Sequence, residues 1–281
     1  MSDTAFATLR RLLNSAHNFV PSCRPMITVQ NLSRSFGTFQ AVSDISFSVE
    51  KGEIFGFLGV NGAGKTTTLR MLSGILRPSS GTIQIGSHDL YRAPVEAKSL
   101  IGYIPDRPYL YPKLTPRELL YFVGQLYRVK SSDIETRGTA LLTEYGLIEK
   151  ANVLIDALSH GMKQRLATVA ALLHEPEVLI IDEPMVGLDP YGAKLLKKRL
   201  RAYRAKGTSV LLSTHSLHVA EEIADRVAII EAGKILAIGK IDEIRAQSGV
   251  EGANLEELFL KITTSALADS AAEAEPQLEQ L

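Results

Sequence analysis

A chain of 281 residues with 45% hydrophobic content has enough apolar surface for a full core in one or two ordinary domains. Lys plus Arg and Asp plus Glu both number 31, so the formal net charge is zero, which speaks against a nucleic-acid-binding surface. A single cysteine, Cys23, excludes an internal disulfide and suits a reducing cytosol, and no apolar run reaches the ~18 residues that a membrane-spanning helix needs.

Residues 1–25 read as a surface tail. Their amphipathic stretch, Phe6–Leu13, is short, is interrupted by Arg10 and Arg11, and gives way to Pro21 and Pro25, unlike a secretory leader. From Met26 the pattern changes to short β segments: Ile27–Val29, a turn at Phe36-Gly37, Ile45–Val49 and a turn at Lys51-Gly52. Phe36 can stack on a purine ring, a contact worth about 1–3 kcal/mol in nucleic-acid systems, or it can belong to the core.

The stretch Gly59-Val60-Asn61-Gly62-Ala63-Gly64-Lys65-Thr66-Thr67 fits G-x-x-x-x-G-K-[ST], between a buried strand, Ile54–Leu58, and a helix, Thr66–Leu72. Gly59, Gly62 and Gly64 let the backbone turn successive N–H groups inward onto phosphate oxygens. The helix start adds about +0.5 of an elementary charge facing the same anion. Lys65 supplies a point charge for the β- and γ-phosphates, and the Thr66 hydroxyl offers an oxygen to Mg²⁺. The whole loop therefore reads as a cradle for a nucleoside triphosphate.

Thr82–Ile85 reads as a further strand, after which the texture turns helical: Pro94–Tyr103, then a proline-bounded loop through Pro105 and Pro108. Thr115-Pro116-Arg117-Glu118 is a capping box with proline at the first helical position, opening a helix through Tyr127. A second helix runs from Asp133 to Tyr145, with Gly146 at its C-cap. Residues from about 94 to 173 thus read as a helical insert in an α/β domain. Ser159 caps the next helix and, beside Gly161, offers a second anion site, although taken alone the pattern is only a helix start.

Val178–Ile181 is an apolar run of the kind found in central parallel strands, and it ends in two acids, Asp182 and Glu183. Ligands of open α/β sheets lie at the carboxyl ends of strands, where the phosphate loop also sits. Asp182 can hold Mg²⁺, and Glu183 can orient and polarise an attacking water. Gly187-Leu188-Asp189-Pro190 is a turn before an amphipathic helix that reaches Tyr203. Thr208–Leu212 is another strand, leading into Ser213-Thr214-His215, where His215 is placed to reach a γ-phosphate. His88, His160, His174 and His218 take a structural reading. Val227–Ile230 and Ile235–Ile238 form a hairpin through Ala232-Gly233, and the Ala- and Glu-rich end, 263–281, reads as disordered.

Taken in this order, the motifs resemble the ATP-binding subunit of ABC transporters over about residues 26 to 262. Gly59–Thr67 resembles the Walker A motif, Val178–Glu183 Walker B, Leu158–Gln164 the signature, Asp189 the D-loop and His215 the switch histidine, while Phe36 matches the aromatic that stacks on adenine. The resemblance implies an α/β fold: a P-loop NTPase core with an N-terminal antiparallel β subdomain and a helical signature subdomain. It implies an ATPase that uses ATP and Mg²⁺. Two cassettes, taken as identical, meet head to tail, with Ser159 and Gly161 of one capping the γ-phosphate held by Lys65 of the other. A separate transmembrane permease completes the transporter and holds the chain at the cytoplasmic face of the plasma membrane. A competing reading is a soluble ABC-type ATPase acting as a switch on ribosomes or DNA; one phosphate loop, no heptad array and no basic excess count against it. Glu183 and the signature count against a P-loop kinase.

Two positions depart from the family pattern. The signature reads Leu158-Ser159-His160-Gly161-Met162 rather than Leu-Ser-Gly-Gly-Gln, and Asp106 stands where the family usually has the Q-loop glutamine. Asp106 offers an oxygen to Mg²⁺ but adds negative charge beside the triphosphate. Both variants, with Tyr109-Leu110-Tyr111-Pro112 and Leu255–Leu260, resemble the exporter branch that includes drug, polysaccharide and lipid exporters. In that branch the segment Tyr109–Leu114 lies beside the groove for a short helix of the permease; the alternative is that it folds back on the helix bearing Leu119, Leu120 and Phe122.

Overall fold

The computed structural model describes residues 25–185, 190–247 and 256–264. Asp189, Cys23 and nearly all of both expected tails lie outside these. Strands β1 (Ile27–Phe36), β2 (Phe39–Val49), β4 (Ser80–Ile85) and β5 (His88–Asp89) form an antiparallel sheet in the order β2-β1-β4-β5. A second sheet holds β3 (Ile54–Leu58), β6 (Ile101–Ile104), β7 (Val178–Asp182), β8 (Ser209–Thr214), β9 (Arg226–Glu231) and β10 (Lys234–Gly239). Its order is β10-β9-β3-β8-β7-β6. All its pairings are parallel except β9 with β10. The hairpin expected through Ala232-Gly233 is therefore its antiparallel edge.

Every residue of β3, β7 and β8 is buried, which explains the apolar runs Ile54–Leu58, Val178–Ile181 and Val210–Leu212 within them. The core lies in layers on both sides of them. Toward the antiparallel sheet, Phe47 stacks on Phe55 with ring centroids 5.5 Å apart and meets Phe57 at 5.6 Å. Leu69 and Leu72 of helix α1 (Lys65–Leu72) join the same cluster.

Chain order continues with helix α2 (Pro94–Ser99), then α3 (Pro116–Leu126), α4 (Ser131–Glu144) and α5 (His160–Leu172). The capping box is present: the Glu118 amide donates to Thr115 Oγ1, and the Thr115 amide donates to Glu118 Oε2 at 2.8 Å. Leu119, Leu120, Ile134, Leu142, Leu166, Val169 and Leu173 form a second core against Leu179, Ile181 and Leu212 of the parallel sheet. Helices α6 (Pro190–Ala205), α7 (Leu217–Ile223), α8 (Ile241–Gln247) and α9 (256–264) follow. Ile244, Leu258 and Phe259 of the last two cover Val227 and Ile229.

One reading changes, and two open alternatives narrow. The helix from Pro94 stops at Ser99, and Ile101–Ile104 is instead β6, paired in parallel with β7 as Ile101↔Val178 through Ile104↔Ile181. Four residues are too few for periodicity to reveal a strand, and tertiary pairing decides it; a Cβ at Gly102 would lie 2.6 Å from the Ala171 carbonyl oxygen, so β6 runs directly against α5. Phe36 is not core: it is 46% exposed, with the Arg34 guanidinium 4.6 Å from its ring centroid. The Tyr109–Leu114 segment divides. Leu110 and Leu114 pack on the insert core and Tyr111 meets Phe122 edge-on at 5.4 Å, while Tyr109 stands 88% exposed.

His174 ties the insert to the sheet. Its Nε2 donates to the Ile101 carbonyl oxygen at 3.0 Å, and its ring stacks on Tyr127 at 3.7 Å. Burial pushes the imidazole down from 6.5 to about 4, so the fold holds it neutral. Unfolding then takes up a proton below pH 6.5, and the stability this group contributes is complete above that pH and is lost as pH falls towards 4. Denaturant titrations from pH 7 to 4 should show a shallower loss of stability in His174→Phe than in wild type. Parallel pH profiles would assign the effect to other groups.

Candidate functional site

Strands β3, β7 and β8 are parallel neighbours, so their carboxyl ends open on one edge of the sheet. The loop leaving β3 is held by close backbone approaches that only glycine allows. A Cβ on Gly59 would lie 2.4 Å from the Ile230 carbonyl oxygen, and one on Gly64, at φ +105°, 2.6 Å from that of Ala41. The β9–β10 turn clamps the loop: the Gly233 amide donates to Ala63 at 3.0 Å, and the Ser43 amide donates to Gly233 at 2.8 Å. No side chain caps the start of α1 at Gly64, which leaves first-turn amides for an anion.

Lys65, 5% exposed, folds over this loop. Its Nζ donates to the carbonyls of Gly59 at 2.7 Å and Val60 at 3.1 Å, and pairs with Glu183 Oε1 at 3.3 Å. Thr66 Oγ1 donates to Asp182 Oδ1 at 3.3 Å, and Ser213 Oγ donates to the same oxygen at 2.6 Å. Asp182 is 2% exposed. Burial pushes its carboxyl above the usual range, the two hydroxyl donors pull it back, and the charges of Glu183 and Asp106 add to the rise. Glu183 sits in the left-handed region at φ +49°. Its amide donates to Ser213 Oγ at 3.1 Å, and its Oε2 accepts from His215 Nδ1 at 2.9 Å.

The structure thus joins Lys65, Thr66, Asp182, Glu183 and His215 in one network. Asn61 and Gly62 are exposed on the loop, Ala63 is buried, and Thr67 is part-buried in α1. Ser159 and Gly161 stand apart, exposed at the start of α5, where Ser159 Oγ accepts from the Met162 amide at 3.3 Å. Among the described residues, no hydrogen bond or ion pair links these two to the network. Asp106 lines a cavity of about 450 Å³ with Arg107, His160 and Gln164. His160, read from sequence as structural, is exposed there instead. Ser213 was missed as well. The signal was available as a hydroxyl directly after the apolar run Val210–Leu212, two residues before His215, but its partner lies 31 positions away.

A strand-loop-helix cradle with two acids at the end of a neighbouring strand fits many nucleotide-binding proteins; comparison with known sequences narrows it. The family model described as ABC transporter matches residues 42–186. The chain belongs to the ABC transporter family. It is 38% identical over 224 residues to a linearmycin resistance ATP-binding protein of Bacillus subtilis, covering 80% of this chain and 72% of that one. It is 38% identical over 220 residues to a Nod factor export ATP-binding protein of Ralstonia nicotianae, covering 78% and 68%. A solved structure titled as the ATP-binding subunit of an ABC transporter superposes with a TM-score of 0.81 at 37% identity, covering 85% of this chain and 99% of that one.

As an ABC ATP-binding subunit, the chain binds ATP, is an ATPase, and works with a transmembrane permease. No described helix is long and apolar enough to cross a membrane. The departure at Asp106 now has a measurable side: its charge raises the Asp182 carboxyl. Asp106→Asn should move the acid limb of the ATPase pH profile to lower pH and leave the Mg²⁺ requirement unchanged or reduced. A raised Mg²⁺ requirement would make Asp106 a ligand.

Proposed function

We propose that this ABC subunit binds MgATP between two head-to-tail copies of itself and couples hydrolysis to export through a separate permease. The observation that carries the reading is the network in which Lys65, Thr66, Asp182, Glu183 and His215 meet at the carboxyl edge of one parallel sheet. The names of the relatives, linearmycin resistance and Nod factor export, support the outward direction. Association with such a permease would put the chain at the cytoplasmic face of the membrane.

The donor set suits the ligand. Amides at the uncapped start of α1 and the Lys65 ammonium hold the triphosphate, with Gly59, Asn61, Gly62, Ala63, Gly64 and Thr67 shaping the cradle around it. Thr66 and Asp182 offer hard oxygens for Mg²⁺, and no three His, Cys, Asp or Glu side chains converge as a cage among the described residues. That suits an ion which keeps waters and phosphate oxygens in its shell. The ion, when bound, neutralises charge on those oxygens. Glu183 polarises the attacking water, and His215 fixes the direction of its carboxylate. Asp106 as a further ligand is the alternative within this proposal, and a raised Mg²⁺ requirement in the Asp106→Asn variant would establish it.

The exposed Ser159 and Gly161 at a helix start supply anion donors that meet no acidic partner among the described residues, which supports a second copy as their partner. Asp189, which lies outside the described residues, stays in the proposal only as the residue resembling the D-loop. Phe36, exposed at the tip of the β1–β2 hairpin, offers a face to adenine, and Tyr109 offers one to the permease. ATP can favour the closed pair only by its differential affinity for that state, which bounds the work passed to the permease.

Glu183→Gln should keep MgATP binding and lose about 10²–10⁴-fold in turnover. It should also accumulate ATP-dependent dimers on size exclusion. Turnover within a few-fold of wild type would remove Glu183 from the role.

A further inference from the structure

We propose that Ser213 is a positioning residue that aims both carboxylates of the site through one hydroxyl. The inference rests on the reading of Asp182 and Glu183 just given. In the β7–β8 register Asp182 lies directly across from Ser213, so the side chains meet without a long reach. A hydroxyl has one proton to donate and two lone pairs to accept with. Here the proton goes to Asp182 Oδ1 at 2.6 Å, the length of a charge-assisted bond. A lone pair accepts the Glu183 amide at 3.1 Å.

Each half of this arrangement has a consequence. Ser213 and Thr66 both donate to Oδ1, and among the described residues no hydrogen bond reaches Oδ2, so the carboxylate is turned with one oxygen committed to the protein and the other left for a cation. The Glu183 amide is held twice by the same residue, by Ser213 Oγ and by the Ser213 carbonyl oxygen at 3.2 Å. A left-handed glutamate is strained and persists only where its surroundings over-determine it. Those two bonds set the φ of +49° from which the side chain reaches Lys65 and His215. Ser213 has no exposed surface, so solvent cannot replace its hydroxyl. The Thr66 donor, at 3.3 Å, is longer and does not touch Glu183.

The test uses the full-length chain with Ser213→Ala and the near-isosteric Ser213→Cys, which keeps volume but is a weak donor. Three quantities are measured: thermal stability, the Mg²⁺ dependence and kcat of ATP hydrolysis, and binding of a fluorescent ATP analogue with Mg²⁺ or with chelator. Loss of an orienting partner costs about 10–100-fold in metal affinity or activity. Both variants should therefore need more Mg²⁺ and turn over more slowly, with Mg²⁺-dependent analogue binding weakened and chelator binding unchanged. Equal loss of binding with and without Mg²⁺, wild-type Mg²⁺ dependence, or failure of both variants to fold would overturn the proposal. Asp182→Asn and Glu183→Gln run in parallel. If they hydrolyse ATP normally the carboxylate reading itself fails; if they are inactive while both Ser213 variants behave as wild type, only the role of Ser213 fails.

Discussion

Removing the Asp182 carboxylate from water, to 2% exposure, is a cost that apolar neighbours cannot offset. Only donors can, and the fold supplies them from two directions: Thr66 from the helix after β3 and Ser213 from the strand beside β7. The strand order β3-β8-β7 answers the same need, because it sets β8 between the phosphate loop and the acids. The buried acid therefore fixes which elements must be adjacent. It also fixes why Lys65 can be buried: Glu183, one residue on, supplies the counter-charge at 3.3 Å.

Around this arrangement the two sheets do different work. The parallel sheet is covered on both faces and gives the site a rigid floor. The antiparallel sheet buries its inner face through the Phe47, Phe55 and Phe57 cluster and leaves its hairpin tip, with Phe36 and Phe39, in solvent. The insert is joined to the sheet and to helix α6 by a few specific polar contacts as well as by packing. His174 reaches Ile101, and Arg199 stacks on Tyr145 at 3.8 Å while pairing with Glu144 at 3.1 Å.

Local signals made much of this legible before any coordinates. The capping box at Thr115, the serine cap at Ser159, the glycine spacing from Gly59 to Gly64 and the apolar runs of β3 and β7 each need only a few neighbouring residues to be recognised. The edge strand β6 was hidden because four residues carry no period and its partner lies beyond the whole insert. The role of Ser213 was hidden for the same reason, since a buried hydroxyl declares itself only through the acid opposite.

The position of β3 has a consequence for how the chain is made. Both of its sheet partners, β8 and β9, come far later in the sequence, and the bond from the Ile54 amide to Asp225 spans 171 positions. At about 5–20 residues per second, the partners leave the ribosome roughly 10–30 s after β3 does. The helices of the insert, by contrast, contact one another over short separations, although their core is completed only by Leu179, Ile181 and Leu212. For that interval β3 is an unpaired, wholly apolar strand, and it is the segment on which chaperones or misassembly would act.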